Sequence, residues 1–404
     1  MRSPLWQRPI VALVTAQVVS ALGSQMTFLA LPWFVLETTG SPTRMSVVLA
    51  VELLPVAILG IPSGALVQRL GARNTMLVGD LARAPLMLSI PLLHAAGWLT
   101  FPLLLVLVAL IGVFIAPYFA SQRLVLPELL GEDERLVSQA NAVVEGAQRA
   151  TTLVGPALAG VLIATIGATN VLYLDAASFL CAFVVVALFV PRRPPVAQSA
   201  ESKGVLAGIR FLARDRVLRV LGFTSMVANG LGMMLAAGLP VLAFEEYGGS
   251  SRVAGLFFAA FGIGAVVGSV VAVKLVGRFE PLRLGAVAFV ALSFPVFLLG
   301  LDLPVAGVMA ALALSSFFGP LVNAPLITVI TTRTPEPLRA KVTTAVITTA
   351  MLAGPVGYVI AGPLLEEWGP RGVFLLVASG QLLATLPFLA VAFRAERAVA
   401  DPVT

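Results

Sequence analysis

Four acidic and two basic residues lie inside long apolar runs of the sequence, where a charge requires a specific role. Asp80 and Arg83 are three residues apart, and Glu145 and Arg149 are four apart, so each pair shares one face of a helix. A charge at the centre of a membrane helix costs about 2.5–3.5 kcal/mol on insertion scales. Each pair is therefore expected either to neutralise itself as a structural contact or to contain a carboxylate that takes up and releases a proton.

The third acidic residue, Glu52, has no basic residue three or four positions away. It lies about 10 Å along its predicted helix, at 1.5 Å per residue, and burial favours the neutral form of a carboxyl group. Glu52 is therefore the leading candidate for binding a proton. The alternative is an interfacial glutamate whose carboxylate reaches water. Asp175, near the start of its apolar run, is interpreted as a helix-end residue.

Uncharged polar residues recur at helical spacing in three of the apolar runs. The candidates are Gln17, Ser24, Gln25, Ser225, Asn229, Met233 and Asn323. Such side chains either line a ligand cavity or form hydrogen bonds between helices, and both interpretations remain open. Met233 and the many phenylalanines would give a cavity a soft apolar lining.

The elements that position these residues must be membrane helices. The chain is 59% hydrophobic and 11% charged, whereas a soluble domain carries about a quarter charged residues. One histidine, one cysteine and the absence of metal or nucleotide motifs predict no cofactor, no metal and no enzymatic activity. The basic residues fall in short loops, which indicates membrane orientation rather than nucleic-acid binding.

Apolar runs long enough to cross a hydrocarbon core of about 30 Å predict twelve helices. They are 10–36, 45–67, 75–95, 101–122, 139–166, 170–190, 218–244, 253–276, 283–301, 304–330, 341–365 and 372–393. The first run is too long for the core of a signal peptide and is expected to be a retained helix. With these spans, only Arg44, Arg252 and Arg371 of the basic loop residues fall on one side. This asymmetry predicts that both termini are cytoplasmic.

The spans divide into six and six. We predict an N-terminal bundle (1–190), a cytoplasmic linker with a basic surface helix (191–216) and a C-terminal bundle (217–404). The alternative for the basic segment is an extension of the seventh span. Leu126-Pro-Glu and Thr334-Pro-Glu occupy corresponding positions in the two halves, which is typical of the internal repeats of secondary transporters.

Segments 29–42, 60–73, 79–84, 140–143, 155–160 and 208–221 resemble the major facilitator superfamily. More narrowly, the chain is similar to its drug and siderophore exporters of the macrolide-efflux and enterobactin-exporter group. The resemblance implies an all-α membrane protein with 12 transmembrane helices in two pseudo-symmetric six-helix bundles. It implies a monomer in the inner membrane that moves a small molecule, bound between the halves, in exchange for protons. Alternatives are siderophore or metabolite export, and an uncoupled lipid-handling or receptor-like protein.

The family pattern between the second and third helices is Gly-x-x-x-Asp-Arg-x-Gly-x-Arg-Arg, matched here by Gly64, Gln68, Arg69, Gly71 and Arg73. Gly64 is expected to allow close helix packing, Gly71 a tight turn, and the arginines contacts with carbonyls at a helix C-terminus. The resemblance implies that these contacts hold one face closed. Gln68 replaces the usual Asp and cannot ionise. The alternative is an ordinary positively charged turn.

Two further groups belong to the implied gating network. Gly155 and Pro156 begin a partial match to the antiporter signature of the fifth helix, in which Ala159 replaces the first glycine of the closing pair. A proline inside a helix permits a bend. Arg83 and Arg149, with their carboxylate partners, are expected to clamp the inner gate if the pairs are structural.

Overall fold

The computed structural model describes residues 7–131, 133–192 and 205–400, and every regular element in these ranges is a helix. Residues 193–204, which belong to the predicted linker, lie outside them. The long helices of the first half are α1 (Arg8–Thr39), α2 (Pro42–Leu70), α3 (Ala72–Ala95), α4 (Phe101–Leu130), α5 (Glu134–Ile166) and α6 (Ala168–Phe189). They are followed by α7 (Val205–Arg214), α8 (Arg216–Glu246), α9 (Ser251–Leu275), α10 (Pro281–Leu298), α11 (Val305–Arg333), a 3₁₀ turn (Glu336–Leu338) and α12 (Arg339–Ala400).

The helix ends follow local sequence signals. Thr100 accepts a hydrogen bond from the backbone N–H of Leu103 at the start of α4, and Asp133 accepts two at the start of α5. These side chains satisfy N–H groups that have no partner inside a helix. Gly71 joins α2 to α3 at φ 80° and ψ 150°, a conformation that residues with a side chain rarely adopt. The expected tight turn at Gly71 is confirmed.

Eleven helical segments within the described ranges are long and apolar enough to cross a membrane. One of them, Lys341–Phe393, has 53 residues and would extend about 80 Å as a single helix, far more than a bilayer core of about 30 Å. Its helical path is interrupted at Gly369, where φ is 69° and ψ 173°. This segment therefore contains the last two of the twelve predicted spans.

The chain divides into two compact units. The first comprises residues 1–40, 47–200 and 250–255, and the second comprises residues 41–46, 201–249 and 256–404. In the first unit, α1 packs against α5 and α6, and α3 packs against α4 and α6. In the second unit, α12 packs against α8 and α10, and α10 packs against α11. Each unit has its own buried apolar clusters, around Met76 and Tyr118 in the first and around Leu221 and Phe388 in the second.

The basic segment after the linker forms a helix of its own, α7, rather than an extension of the seventh span. Asp215 ends it, because its backbone is extended and its side chain accepts a hydrogen bond from the N–H of Leu218 in α8. Leu212 is buried in a cluster with Val342 and Val346 of α12. Arg210 and Arg214 remain exposed.

Candidate functional site

Asp80 and Arg83 form a buried ion pair on α3. The Arg83 Nη2 to Asp80 Oδ1 distance is 2.7 Å, and the residues are only 4% and 0% exposed. Arg83 Nε also donates to the carbonyl oxygen of Gly79 at 3.2 Å. The pairing predicted from their spacing is therefore present.

Two aromatic rings from other helices contact the same guanidinium group. Its central carbon lies 4.1 Å from the ring centroid of Tyr118 on α4 and 4.3 Å from that of Phe179 on α6. Arginine in this arrangement gains a cation–π attraction, which is stronger where water is absent. Arg83 therefore ties α3 to α4 and α6.

Asp175 is the acidic residue whose position differs most from the sequence interpretation. It lies seven residues after the start of α6 and is 1% exposed, so it is a core residue and not a helix-end residue. Thr27 Oγ1 of α1 donates to Asp175 Oδ2 at 2.6 Å, and Ser178 Oγ donates to Oδ1 at 3.2 Å. A β-carbon on Gly23 would overlap Asp175 and Ser178, so the approach of α1 to α6 requires a glycine there.

We call Asp80, Arg83 and Asp175 the Asp–Arg–Asp cluster. Asp175 interacts electrostatically with Arg83, with Asp80 and with Glu52 of α2. Two carboxyl groups thus share the field of one guanidinium group, with a third carboxyl group nearby. No group of three or more His, Cys, Asp and Glu that could hold a metal ion occurs in the part of the chain that the structure describes.

Glu52 is half-buried on α2 and makes no ion pair with a described residue. Its backbone carbonyl lies at a close approach between two helices, because a β-carbon on Gly112 of α4 would overlap it. Close packing of α2 therefore occurs at Glu52.

The other charged pair predicted from spacing is not formed. Glu145 and Arg149 are both exposed on α5, and no ion pair joins them. Their side chains extend from the helix surface instead of neutralising each other. A structural clamp made by this pair is therefore not present.

Polar contacts tie α1 to α5 and α5 to α4 in the first unit. Gln25 Nε2 donates to Thr152 Oγ1 at 3.1 Å, and Gln148 Nε2 donates to Gln122 Oε1 at 3.2 Å. Gly155 allows this approach, because a β-carbon there would overlap the Gln25 side chain. Gln25 thus contributes interhelical hydrogen bonding, the second of its two predicted roles.

The remaining polar candidates differ in exposure. Gln17 is 1% exposed, and neither polar atom of its side chain has a partner among the described residues. Ser24 is half-buried on α1, and Pro156 is buried within α5. In the second unit, Ser225, Asn229 and Met233 are each half-buried on one face of α8, and Asn323 is exposed on α11. Ser225 also lines a small apolar cavity with Leu221, Phe289, Val322 and Phe388.

The turn between α2 and α3 is anchored by Arg73. Its Nε donates to the carbonyl oxygen of Val190 at 2.6 Å and its Nη2 to that of Ala187 at 2.9 Å. These are carbonyls at the C-terminal end of α6, so the expected contact is confirmed for Arg73. Arg69 and Gln68 are exposed.

The expectation for Gly64 is wrong. No atom of the described residues lies within 4 Å of a β-carbon built there, so the space beside Gly64 is open. A residue that the sequence reasoning missed acts at the same turn. Glu128 Oε1 accepts a hydrogen bond from the backbone N–H of Ala72 at 3.2 Å and so satisfies one free donor at the start of α3. The Leu126-Pro-Glu motif was the available signal.

A second missed group lies in the second unit. Arg371, just after the interruption of α12, donates to Glu246 Oε2 and to Asp302 Oδ1, each at 2.6 Å. The Tyr247 hydroxyl donates to the carbonyl oxygen of Leu303 at 2.5 Å, and burial raises the pKa of this phenol. Arg371 thereby joins the end of α8 to the connection between α10 and α11. Its position on the side with few basic residues was the available signal.

The model of the family described as Transmembrane secretion effector (MFS_3) matches residues 2–401. The chain is 28% identical to the multidrug efflux pump Tap of Mycolicibacterium fortuitum, with 93% of each chain covered. It is 26% identical to the Tap pump of Mycobacterium tuberculosis strain H37Rv, with 94% of each covered.

Solved structures show the same fold. The nucleoside transporter NupG superposes with a TM-score of 0.77 at 12% identity, covering 95% of this chain and 98% of that one. A bacterial homologue of the lysosomal transporter Spinster gives a TM-score of 0.73 at 13% identity over the full length of both chains. With its all-helical architecture and a family match over nearly its whole length, the chain belongs to the Transmembrane secretion effector family of major facilitator superfamily transporters.

Proposed function

We propose that the protein exports amphiphilic, mostly hydrophobic small molecules, drugs among them, in exchange for protons. The observation that carries this proposal is the 28% identity to a multidrug efflux pump over 93% of both chains. The similarity extends across both halves of the chain.

The mechanism we propose is alternating access, in which a bound substrate is exposed first to one side of the membrane and then to the other. The proposed substrate contacts are Gln17, Ser24, Gln25, Ser225, Asn229, Met233 and Asn323. Buried Gln17 supports this assignment, because an amide without a partner retains its hydrogen-bonding capacity for a ligand.

The proposed proton-coupling residues are Glu52, Asp80 and Glu145. Burial beside Arg83 supports Asp80, and the lack of an ion-pair partner supports Glu52. Glu145 has the weakest support, since it is exposed and unpaired. The turn held by Arg73 is proposed to stabilise one closed face of the transporter, together with Gly71, Arg69 and Gln68.

The proposed setting is the cytoplasmic membrane, with a monomer whose termini both face the cytoplasm. The proposed domains are residues 1–190, 191–216 and 217–404. The distribution of Lys and Arg supports this orientation.

Accumulation of a fluorescent amphiphilic cation in drug-sensitive bacterial cells tests this function. Cells that express the protein should accumulate less dye than cells with an empty vector, and a protonophore should abolish the difference. Asp80→Asn, expressed to the same level, should also abolish it. Equal accumulation with and without the protein would contradict drug export.

Everted membrane vesicles test the coupling separately. Addition of a transported drug to energised vesicles should release protons from their interior, as a drop in the pH gradient. Efflux that is insensitive to a collapsed gradient would indicate an uncoupled protein, such as a lipid-handling one.

A further inference from the structure

We propose that Asp80 and Asp175 share one exchangeable proton beside Arg83, which makes the Asp–Arg–Asp cluster a two-carboxylate proton site spanning α3 and α6. The role of this proton in transport rests on the proposed proton-coupled export. Its new element is Asp175, a residue that the polar pattern of the sequence does not distinguish.

The geometry places Asp175 one helical turn from a residue that contacts Arg83. Phe179 follows Asp175 by four residues on α6, so both side chains lie on the same helical face. The ring of Phe179 lies 4.3 Å from the guanidinium carbon of Arg83, and that face of α6 is therefore turned toward α3. Arg83 and Asp175 are 4% and 1% exposed, so water does not screen them.

Asp80 Oδ2 is a candidate position for the proton. Asp80 Oδ1 accepts from Arg83, whereas Asp80 Oδ2 is buried without a close hydrogen-bond partner among the described residues, as is the Tyr118 hydroxyl that interacts with Asp80. A buried carboxylate oxygen without a donor is costly. A proton on this oxygen, or on Asp175, lowers that cost.

The formal charges of the cluster indicate that it binds one proton. Arg83 stays protonated in a protein interior, so the cluster carries one uncompensated negative charge when both aspartates are ionised. One added proton makes it neutral. The other titratable groups that face it are Glu52 on α2, which carries a further carboxyl group, and Tyr118 on α4, whose ring contacts Arg83 and whose hydroxyl interacts with Asp80. Helix α1 contributes the neutral donor Thr27.

The shared proton connects three helices. With one proton bound, Arg83 pairs with Asp80 while Thr27 and Ser178 hold Asp175. Loss of the proton leaves two carboxylates competing for one guanidinium group. That competition favours a rearrangement of α3 relative to α6 and α1.

Infrared difference spectroscopy between high and low pH tests the site on the purified full-length protein in lipid, without any substrate. A Glu52→Gln protein, used as the background so that Glu52 contributes no band, should show a carbonyl band of a protonated carboxyl group that titrates. Asp80→Asn and Asp175→Asn should each remove it, because either single substitution leaves a neutral aspartate–arginine pair. Glu367→Gln, which alters an exposed carboxylate, is the matched control and should retain the band.

A band unchanged in both asparagine variants would overturn the proposal. So would a loss in one variant only, because a shared proton requires both carboxylates. Size-exclusion profiles of both variants establish that they are folded, and Asp80→Ser or Asp175→Ser replaces a variant that does not fold.

Transport in proteoliposomes then shows whether the proton drives export. Asp175→Asn should lose proton-driven drug accumulation at least tenfold and retain drug exchange at equal pH on both sides. Equal loss of both activities would mean a structural role and overturn the coupling role. If the wild type moves no drug at all, the proposed function fails, while the infrared result still decides the proton site.

Discussion

Arg83 is held in the core of the first unit by one carboxylate, one carbonyl and two aromatic rings. No single contact accounts for an arginine that is 4% exposed in an apolar bundle. Removal of either partner of a buried pair leaves the other charge uncompensated, which costs more than the pair itself contributes.

We therefore expect Arg83→Ala to lower the free energy of unfolding by about 3–5 kcal/mol. Thermal unfolding of the detergent-purified protein measures the loss. Arg278→Ala is the control, because Arg278 is exposed and its removal should change stability by no more than about 0.5 kcal/mol. Similar losses of unfolding free energy in both variants would show that burial of the Asp80–Arg83 pair does not determine the destabilisation.

Gly23 is the second residue with a sharp expectation. A methyl group there would overlap Asp175 and Ser178, so Gly23→Ala should separate α1 from α6 and destabilise the protein by about 1–3 kcal/mol. The same substitution at Gly232 on α8, where the space is open, should be neutral or stabilise by up to about 1 kcal/mol. Thermal unfolding measures both, and a tolerated Gly23→Ala would contradict the tight approach.

At the scale of elements, Arg73 joins the start of α3 to the end of α6. Arg73→Lys keeps the charge but cannot form two directed hydrogen bonds from a planar fork. We expect Arg73→Lys to make hydrogen–deuterium exchange faster in the last turn of α6. Arg69→Lys should leave that exchange rate unchanged, because the Arg69 side chain is exposed. Unchanged exchange in α6 would mean that the contact with Val190 and Ala187 does not hold that helix end.

Contacts within one helix could be predicted from sequence more readily than contacts between helices. The Asp80–Arg83 pair could be predicted from the spacing of the two residues, and the turn at Gly71 from the backbone preference of glycine. Asp175 could not be placed, because its partner Thr27 is 148 positions away and its depth depends on how α1 packs on α6. Close packing of α2 was expected at Gly64 and occurs at Glu52, because the position of a helix contact also depends on how the helices pack.

Glu145 and Arg149 show that a contact predicted within one helix can also be absent. Their spacing allows an ion pair, but exposed side chains at that spacing gain only a few tenths of a kcal/mol. They extend separately in the structure. Spacing predicts which residues can meet, and burial decides whether they do.

At the scale of the whole molecule, the twelve spans were predictable because lipid leaves a backbone few alternatives to a helix. The two six-helix halves followed from the position of the polar linker. The orientation across the membrane follows only from the Lys and Arg distribution and remains a prediction.

Cysteine labelling tests that orientation. Cys181, the one cysteine in the sequence, is first replaced by alanine, and single cysteines are then placed at Arg192 or at Gly248. A membrane-impermeant maleimide should label position 248 in intact cells and position 192 only after permeabilisation. The reverse pattern would place the termini outside the cytoplasm.

The interruption of α12 at Gly369 has a practical consequence. Because one glycine joins the last two membrane helices, that end of the hairpin offers no peptide loop to an antibody or a protease. Epitope insertions at this point would break both helices at once. Affinity handles and fiducial fusions should therefore avoid this junction.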